Sequence, residues 1–401
     1  MPDRQDPLRA AVTPGVGDSP PLSGRTITPA VIGRIARSLR EQAEALQGLL
    51  DDLRPPTPPS PLAARIQARF PRTVLLDDRT PLQPLPRLSA AIGAEVWIKR
   101  DDWGSLAMAG AKARKLERIV SQAQALGHRG LLTAGPGQSN TARAMAAACA
   151  RAGLQARLLL REDAEAPLEG NALLAQLMGA RIERLGTLPW PEVERRARAQ
   201  AAAAPGTTLV PMGATSVAGV AGMAAGHLEL MEQLAAARLR PSAVYHASAT
   251  GGIWAGLRLA ATATGGPPPV PVAVIDDVYE DMPGRYAEIH NETADALGLA
   301  HRVVAADVAW ARAASRAAYG EPTSETLDAI ALAMRTEGVL LDYVYTGRAM
   351  AALIADVRAG RASGPLVLWH SGGLPGVMSA QVQAHLAAHD AAAAMRPAVS
   401  A

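Results

Sequence analysis

From about residue 73 onward the chain alternates short apolar runs with alanine-rich stretches of helical length, and this alternation limits the folds open to it. EVWIKR, GLLTAG, ARLLL, TTLVPMG, AVYHAS, VPVAVID and PLVLWHS read as strands, while NTARAMAAACARAG and GIWAGLRLAATATG between them read as helices. Strands apolar on both faces and separated by helices belong in parallel sheets covered on both sides. In such folds ligands sit beyond the carboxyl ends of the strands, so the strand-to-helix turns are where chemistry is expected. The core must be mostly aliphatic, because the 401 residues include a single Phe.

The flanks have a different texture. Residues 1–27, rich in Pro, Gly, Ser and Asp, read as a disordered arm. Thr28-Pro29 reads as an N-cap and first-turn proline opening an amphipathic helix over 29–54. Ile32, Leu39, Leu46 and Leu53 recur every seven residues, with Ile35 and Leu49 between them and Gln42 breaking the stripe. That pattern suits a docking or dimerising helix better than a long coiled coil. PPTPPSP at 55–61 follows as a stiff spacer. The lone Cys149, in an apolar helical pattern, excludes an intrachain disulfide and fits a reducing compartment. The start MPDRQDPLRAAV has no apolar h-region, and no run reaches the roughly eighteen apolar residues of a membrane span. A cytoplasmic protein without a membrane partner is expected. The net charge of +3 comes from scattered arginines with no aromatic interleaving, so no nucleic-acid partner is expected.

Lysine is scarce, with three residues, Lys99, Lys112 and Lys115, against 37 arginines. Two of the three lie in AGAKARKLE, residues 109–117. Two solvated charges on a helix are the plain reading of Lys-x-x-Lys. Arginine, however, stays protonated at any accessible pH, whereas a desolvated lysine amine loses its proton and attacks carbonyls. The scarcity therefore marks one of these lysines as a candidate covalent anchor.

Four turns stand out. TAGPGQSNTARA (133–144) follows a strand and opens a helix. Gly135, Gly137 and Asn140 resemble a dinucleotide fingerprint lacking its third glycine, with Glu162-Asp163 after the next strand; alone, this would suggest a nicotinamide-dependent dehydrogenase. In HASATGGIWAGL (246–257) the backbone amides of Thr250, Gly251 and Gly252 suit one phosphate at a helix start, and a tight turn of small residues is the alternative. No Gly-Lys-Ser/Thr follows, which favours a monophosphate over a triphosphate. LWHSGGLPG (368–376) offers the Ser371 hydroxyl. AYGEPTSETLDAI and LDYVYTGRAM bring Tyr319 and Tyr345 near helix starts. His385 and His389 share a helical face, but HLAAH lacks the glutamate of an HExxH site, and no metal is expected.

Taken together, these segments resemble the D-cysteine desulfhydrase and 1-aminocyclopropane-1-carboxylate (ACC) deaminase family of fold-type-II pyridoxal-phosphate enzymes. The likeness is collinear from about Phe70 to His389, through FPRTVLLDDRTPLQPLPRLS, IKRDD, AKARKLE, GQSNTAR, GNALLAQLMGA, the phosphate loop, YGEPTSE, VYTGRAM and HSGGLPG. It implies two open parallel-sheet α/β domains with pyridoxal 5'-phosphate in the cleft between them, plus an N-terminal helical extension. Residues 1–72 would be the extension, 73–114 with 226–390 the large cofactor domain, 115–225 the small domain and 391–401 a tail. A homodimer acting on a small amino acid is implied as well.

Residue by residue, the resemblance makes Lys112 the Schiff-base lysine and Lys115 a cation at the cofactor phosphate, which Thr250, Gly251 and Gly252 also bind. It gives Asn140 to the ring hydroxyl and Ser371 to the pyridine nitrogen. Ser139, Asn140 and Thr141 would line the substrate carboxylate site, with Ser139 an acid–base or nucleophilic group. Tyr345 would lie near the ring and Tyr319 would face substrate. A hydroxyl at the pyridine nitrogen leaves the ring a weaker electron sink than a carboxylate would, which favours prompt loss of a β-leaving group. The implied reaction is α,β-elimination of D-cysteine or a similar β-substituted amino acid to a 2-oxo acid and ammonia. This sequence departs from the family pattern at Ala111 (asparagine), Thr141 (often histidine), Ile253 (threonine), Tyr343 (proline) and Ser371 (threonine). Thr346 stands where ACC deaminases carry glutamate, which counts against cyclopropane opening. β-Replacement in a biosynthetic pathway, ACC deamination, the dehydrogenase and a non-catalytic scaffold are the alternatives.

Overall fold

The structure, a computed structural model, describes residues 60–76, 79–274, 280–311, 320–378 and 383–389, with isolated positions 33, 36, 38, 39 and 42. The arm at 1–27 and the tail at 391–401 lie outside the described residues, as does most of the helix expected over 29–54; its five described positions are helical. The expected spacer at 55–61 is corrected at its end. Ser60 is the N-cap of a helix, Pro61–Arg69, its hydroxyl accepting from the Ala63 amide at 3.1 Å. Proline is tolerated at that first turn because its missing N–H would have no partner there. The helix buries Leu62 and Ile66, and Arg65 donates to the Gly298 carbonyl at 2.7 Å.

Nine strands form two sheets among the described residues. One has five strands in the order β1 (Leu82–Pro84), β2 (Val96–Arg100), β9 (Leu366–His370), β7 (Ala243–Ser248) and β8 (Pro269–Ala273). The other has four, in the order β5 (Arg181–Arg184), β4 (Gln155–Arg161), β3 (Gly130–Pro136) and β6 (Thr207–Val210). All pairings are parallel except β1 with β2, a short antiparallel edge absent from the expected strands. Pro84 fits there because an edge position requires no ladder donor. β7 and β9 are buried along their whole length, as strands covered on both faces must be.

The helix Ala111–Ala125 is buried on nearly every side and carries Arg114, Lys115, Glu117 and Arg118 inward. It lies against the helix Val217–Ala236 through a glycine face. A Cβ at Gly222 would sit 2.2 Å from the Arg114 carbonyl oxygen, and one at Gly226 would sit 2.8 Å from the Arg114 Cδ. The sequence limits 114/115 and 225/226 both fall inside these two continuous helices. Gly222→Ala should therefore cost about 1–3 kcal/mol by overpacking against backbone. The thermal midpoint should fall by several degrees, and an unchanged midpoint would mean that the two helices are not in backbone contact.

Candidate active site

The lysine helix begins where two backbones touch. Gly110 adopts a positive φ of 62°, and a Cβ there would lie 2.1 Å from the Ser371 carbonyl oxygen. The next amide, Ala111, donates to that same oxygen at 3.1 Å, stitching the helix start to the loop after β9. Lys112 and Lys115 then sit one turn apart and line one cavity of about 320 Å³. Burial, then the nearby positive Arg143, lower the Lys112 amine to about 8, with Asp342 opposing them. Such an amine is roughly one-tenth neutral at pH 7, far more than an ordinary lysine. Burial, with Lys112 adding like charge, pushes Lys115 well below its usual range. Its amine donates to the Gly213 carbonyl at 3.0 Å.

One end of the cavity is the turn after β7. Gly251 has a φ of 82°, and a Cβ there would run into the Tyr286 ring at 2.3 Å. Gly252 starts the helix Gly252–Thr264, where no side chain caps the first amides, so they remain available to a ligand. A Cβ on Gly252 would come within 2.7 Å of the Lys115 amine and 2.6 Å of the Thr215 hydroxyl. The Thr250 and Thr215 hydroxyls are hydrogen-bonded at 2.7 Å. The result is a small cradle of amides, hydroxyl and ammonium that suits a dianionic oxyanion.

The other end is the turn after β3. Ser139 is the N-cap of the helix Asn140–Ala152, its Oγ accepting from the Ala142 amide at 3.1 Å. That bond occupies a lone pair and leaves the hydroxyl proton free to be donated. The Asn140 Oδ1 accepts from the Asn171 side-chain Nδ2 at 3.0 Å and from Arg143 at 3.4 Å. Its own NH2 group is thereby left as the donor for the cavity. Arg143, fully buried, also donates to Asn171 at 2.7 Å and to the carbonyls of Ala107 and Met108. Those two residues hold positive φ values of 42° and 53°, so Arg143 secures the strained turn just before the lysine helix.

Tyr345 reaches the cavity from the start of the helix Thr346–Arg358, and Ser371 reaches it from the loop after β9. The Asp342 carboxylate accepts from the amides of Val344, Tyr345 and Thr346 at 3.1, 2.8 and 2.9 Å, which fixes the Tyr345 turn. Thr346 is fully buried, its hydroxyl donating to Asp342 at 2.7 Å and accepting from the Asp342 amide at 3.0 Å. His370 accepts from the Gly372 amide at 3.3 Å, so its other nitrogen donates to the Leu340 carbonyl at 2.7 Å, which holds the Ser371 loop.

Ten of the eleven expected site residues thus face one cavity: Lys112, Lys115, Ser139, Asn140, Thr141, Thr250, Gly251, Gly252, Tyr345 and Ser371. The eleventh, Tyr319, lies outside the described residues. Arg161 and Trp190 also line the cavity, and Arg143, Asn171 and Asp342 support it; none was singled out from sequence. Asn171 lies within GNALLAQLMGA, but the motif alone does not show what it holds. The other supports have no local signature, because each acts across elements distant in the chain.

Comparison with known proteins bears on family and fold. The family model described as "Pyridoxal-phosphate dependent enzyme" matches residues 75–372. D-cysteine desulfhydrase of Salmonella choleraesuis (strain SC-B67) is 36% identical over 323 residues, covering 78% of this chain and 96% of that protein. The Salmonella typhi protein of the same name is 35% identical over the same length. The crystal structure of an ACC deaminase homologue superposes with a TM-score of 0.74 at 29% identity, covering 82% of this chain and 99% of that one. A fungal L-serine ammonia-lyase from Rhizomucor miehei shares the fold, at 19% identity and a TM-score of 0.58 over 80% of this chain and 99% of that one. Gly252→Ala should fill the cradle between Lys115 and Thr215. The dissociation constant for pyridoxal phosphate is expected to rise at least about tenfold, a cost near 1.4 kcal/mol. Unchanged affinity in an equilibrium titration would place the phosphate elsewhere.

Proposed function

This chain belongs to the pyridoxal-phosphate dependent enzymes, in the group that holds the D-cysteine desulfhydrases and ACC deaminases, and on that premise we propose that it eliminates the β-substituent of a small amino acid, D-cysteine or a close analogue, to give a 2-oxo acid and ammonia. The observation that carries the reading is the pairing of a depressed lysine amine with an oxyanion cradle one helical turn away, in the same cavity as the Ser139–Asn140 turn.

The residues present fit the cofactor. Lys115, buried with one carbonyl as its hydrogen-bond partner, gains a counter-charge when a phosphate occupies the uncapped helix start beside Gly252. Lys112 is the candidate covalent partner of the cofactor aldehyde, because its amine deprotonates near neutral pH. The Asn140 amide donor suits the ring hydroxyl oxygen, and the Ser371 hydroxyl suits the pyridine nitrogen. When bound, pyridoxal phosphate supplies an electron sink for charge developing at the substrate Cα.

The chain's own groups do the rest. The first amides of the Asn140 helix and the Ser139 hydroxyl hold the substrate carboxylate, fixing which Cα substituent faces Lys112. The Lys112 amine, once free, takes the Cα proton. Ser139 and Tyr345 hold or move a proton on the other face. Thr346 does not open a cyclopropane ring in this scheme, since its hydroxyl is spent on Asp342, and elimination is favoured over ACC deamination. The same reading divides the protein into two lobes, one for each sheet, with the cavity between their strand ends. It includes a homodimer in the cytoplasm, a location that suits the buried, unpaired Cys149. Among the described residues no helix is long and apolar enough to cross a membrane.

Ser139→Gly separates chemistry from capping. Glycine caps a helix nearly as well as serine, so stability should change by only a few tenths of a kcal/mol. Turnover of D-cysteine should fall roughly 10²–10⁴-fold, the range for one acid–base group. Full turnover in that variant would make Ser139 a cap alone. A new amino acid formed from an added nucleophile, without 2-oxo acid, would favour β-replacement.

A further inference from the structure

We propose that Arg161, stacked on Trp190, recognises an oxyanionic β-substituent on the amino-acid substrate, such as a phosphate or sulfonate group. The inference rests on the lyase reading above and names the substrate class. Arg161 is the last residue of β4 and pairs in register with Pro136, the last residue of β3. Ser139 follows Pro136 by three residues, so Arg161 borders the substrate turn. The phosphate cradle is built from the end of β7, in the other sheet.

Its side chain is held ready. The Nε donates to the Leu188 carbonyl at 2.6 Å, and the guanidinium carbon lies 5.0 Å from the centre of the Trp190 ring. The ring contact and that single bond restrain the guanidinium at the cavity wall. Among the described residues, the two terminal nitrogens have no protein partner. The neighbouring Glu162 is taken by Arg184 at 3.0 Å. No Asp or Glu is among the described residues lining the cavity, whose cations are Lys112, Lys115 and Arg161.

The site thus has more places for anions than cofactor and amino acid alone would fill. The cofactor phosphate takes Lys115 and the helix start at Gly252. The α-carboxylate takes the helix start at Asn140. Arg161 is left with a planar, forked pair of donors, the geometry that matches a tetrahedral or planar oxyanion. In the reaction the Cα proton passes to the Lys112 amine. The Cβ–O bond of an O-phosphoserine then breaks, its electron pair leaving on the phosphate as Arg161 balances the charge. With one water the products are pyruvate, ammonia and inorganic phosphate, and no oxidant or reductant is needed.

The test compares holoenzyme with Arg161→Gln and Arg161→Lys, using both enantiomers of O-phosphoserine and of β-chloroalanine, whose β-substituent is neutral. The ratio of kcat/KM for O-phosphoserine to that for β-chloroalanine should fall about 10- to 100-fold in Arg161→Gln, the range for one charged hydrogen-bonding group, and recover in part in Arg161→Lys. Calorimetry on the same holoenzymes should show O-phosphoserine bound at least about tenfold tighter than serine, with that preference lost in Arg161→Gln. An equal loss on both substrates, or an unchanged ratio, would overturn the proposal. If neither these compounds nor D-cysteine is turned over, the lyase reading fails. Calorimetry then decides the Arg161 assignment separately: a preference lost in Arg161→Gln upholds it, and no preference in the wild-type protein overturns it.

Discussion

The placement of both site lysines depends on one buried arginine between them. The Arg114 guanidinium donates to Asp101 at 3.0 and 2.9 Å, to Glu229 at 2.9 Å and to the Thr80 hydroxyl at 2.7 Å. Asp101 also accepts from the Trp369 indole at 2.8 Å, and Glu229 accepts from the buried Lys99. Burial alone would raise the Glu229 carboxyl, but Arg114 and Lys99 hold it at about 2. Removing one partner from such a cluster strands the others and costs about 3–5 kcal/mol. Arg114 and Lys112 are two residues apart, hence on opposite faces of the helix. Clamping Arg114 against the end of β2 and the helix Val217–Ala236 therefore turns Lys112 toward the cavity. Lys99, the third lysine of the chain, serves the clamp.

The clamp works only because glycine lets backbones meet. Gly222 and Gly226 bring one helix against Arg114, Gly110 brings the lysine helix against the Ser371 loop, and Gly252 brings the turn after β7 against Lys115. A side chain at any of these would hold the two parts of the cavity wall apart. Each sheet contributes the carboxyl ends of its strands: Pro136, Arg161 and Ser248, the last residues of β3, β4 and β7, line the cavity beside the turns that follow β3, β7 and β9.

Much of this was legible in the sequence, for identifiable reasons. Strands buried on both faces write apolar runs, as β7 and β9 do, and β2, β3, β4, β6 and β8 also lie within the short apolar segments read as strands. β5, with the sequence RIER, is a half-exposed edge whose arginines and glutamate hide it. β1 ends in proline and pairs antiparallel, outside the expected pattern. The helix Pro61–Arg69 was masked by the prolines before it. Among site residues, those on strand-to-helix turns carried local glycine and hydroxyl signatures. Arg143, Asn171, Asp342 and Arg114 hold the site through partners far away in the chain, a relation that no local motif records.

The central claim is that Lys112, not its neighbour one turn on, is the covalent anchor for the cofactor. Borohydride reduction of the holoenzyme followed by peptide mass mapping tests it directly. The account predicts a pyridoxyl group on Lys112, with Lys115 unmodified. A pyridoxyl group on Lys115 or Lys99, or a fixed adduct that persists in Lys112→Ala, would contradict it.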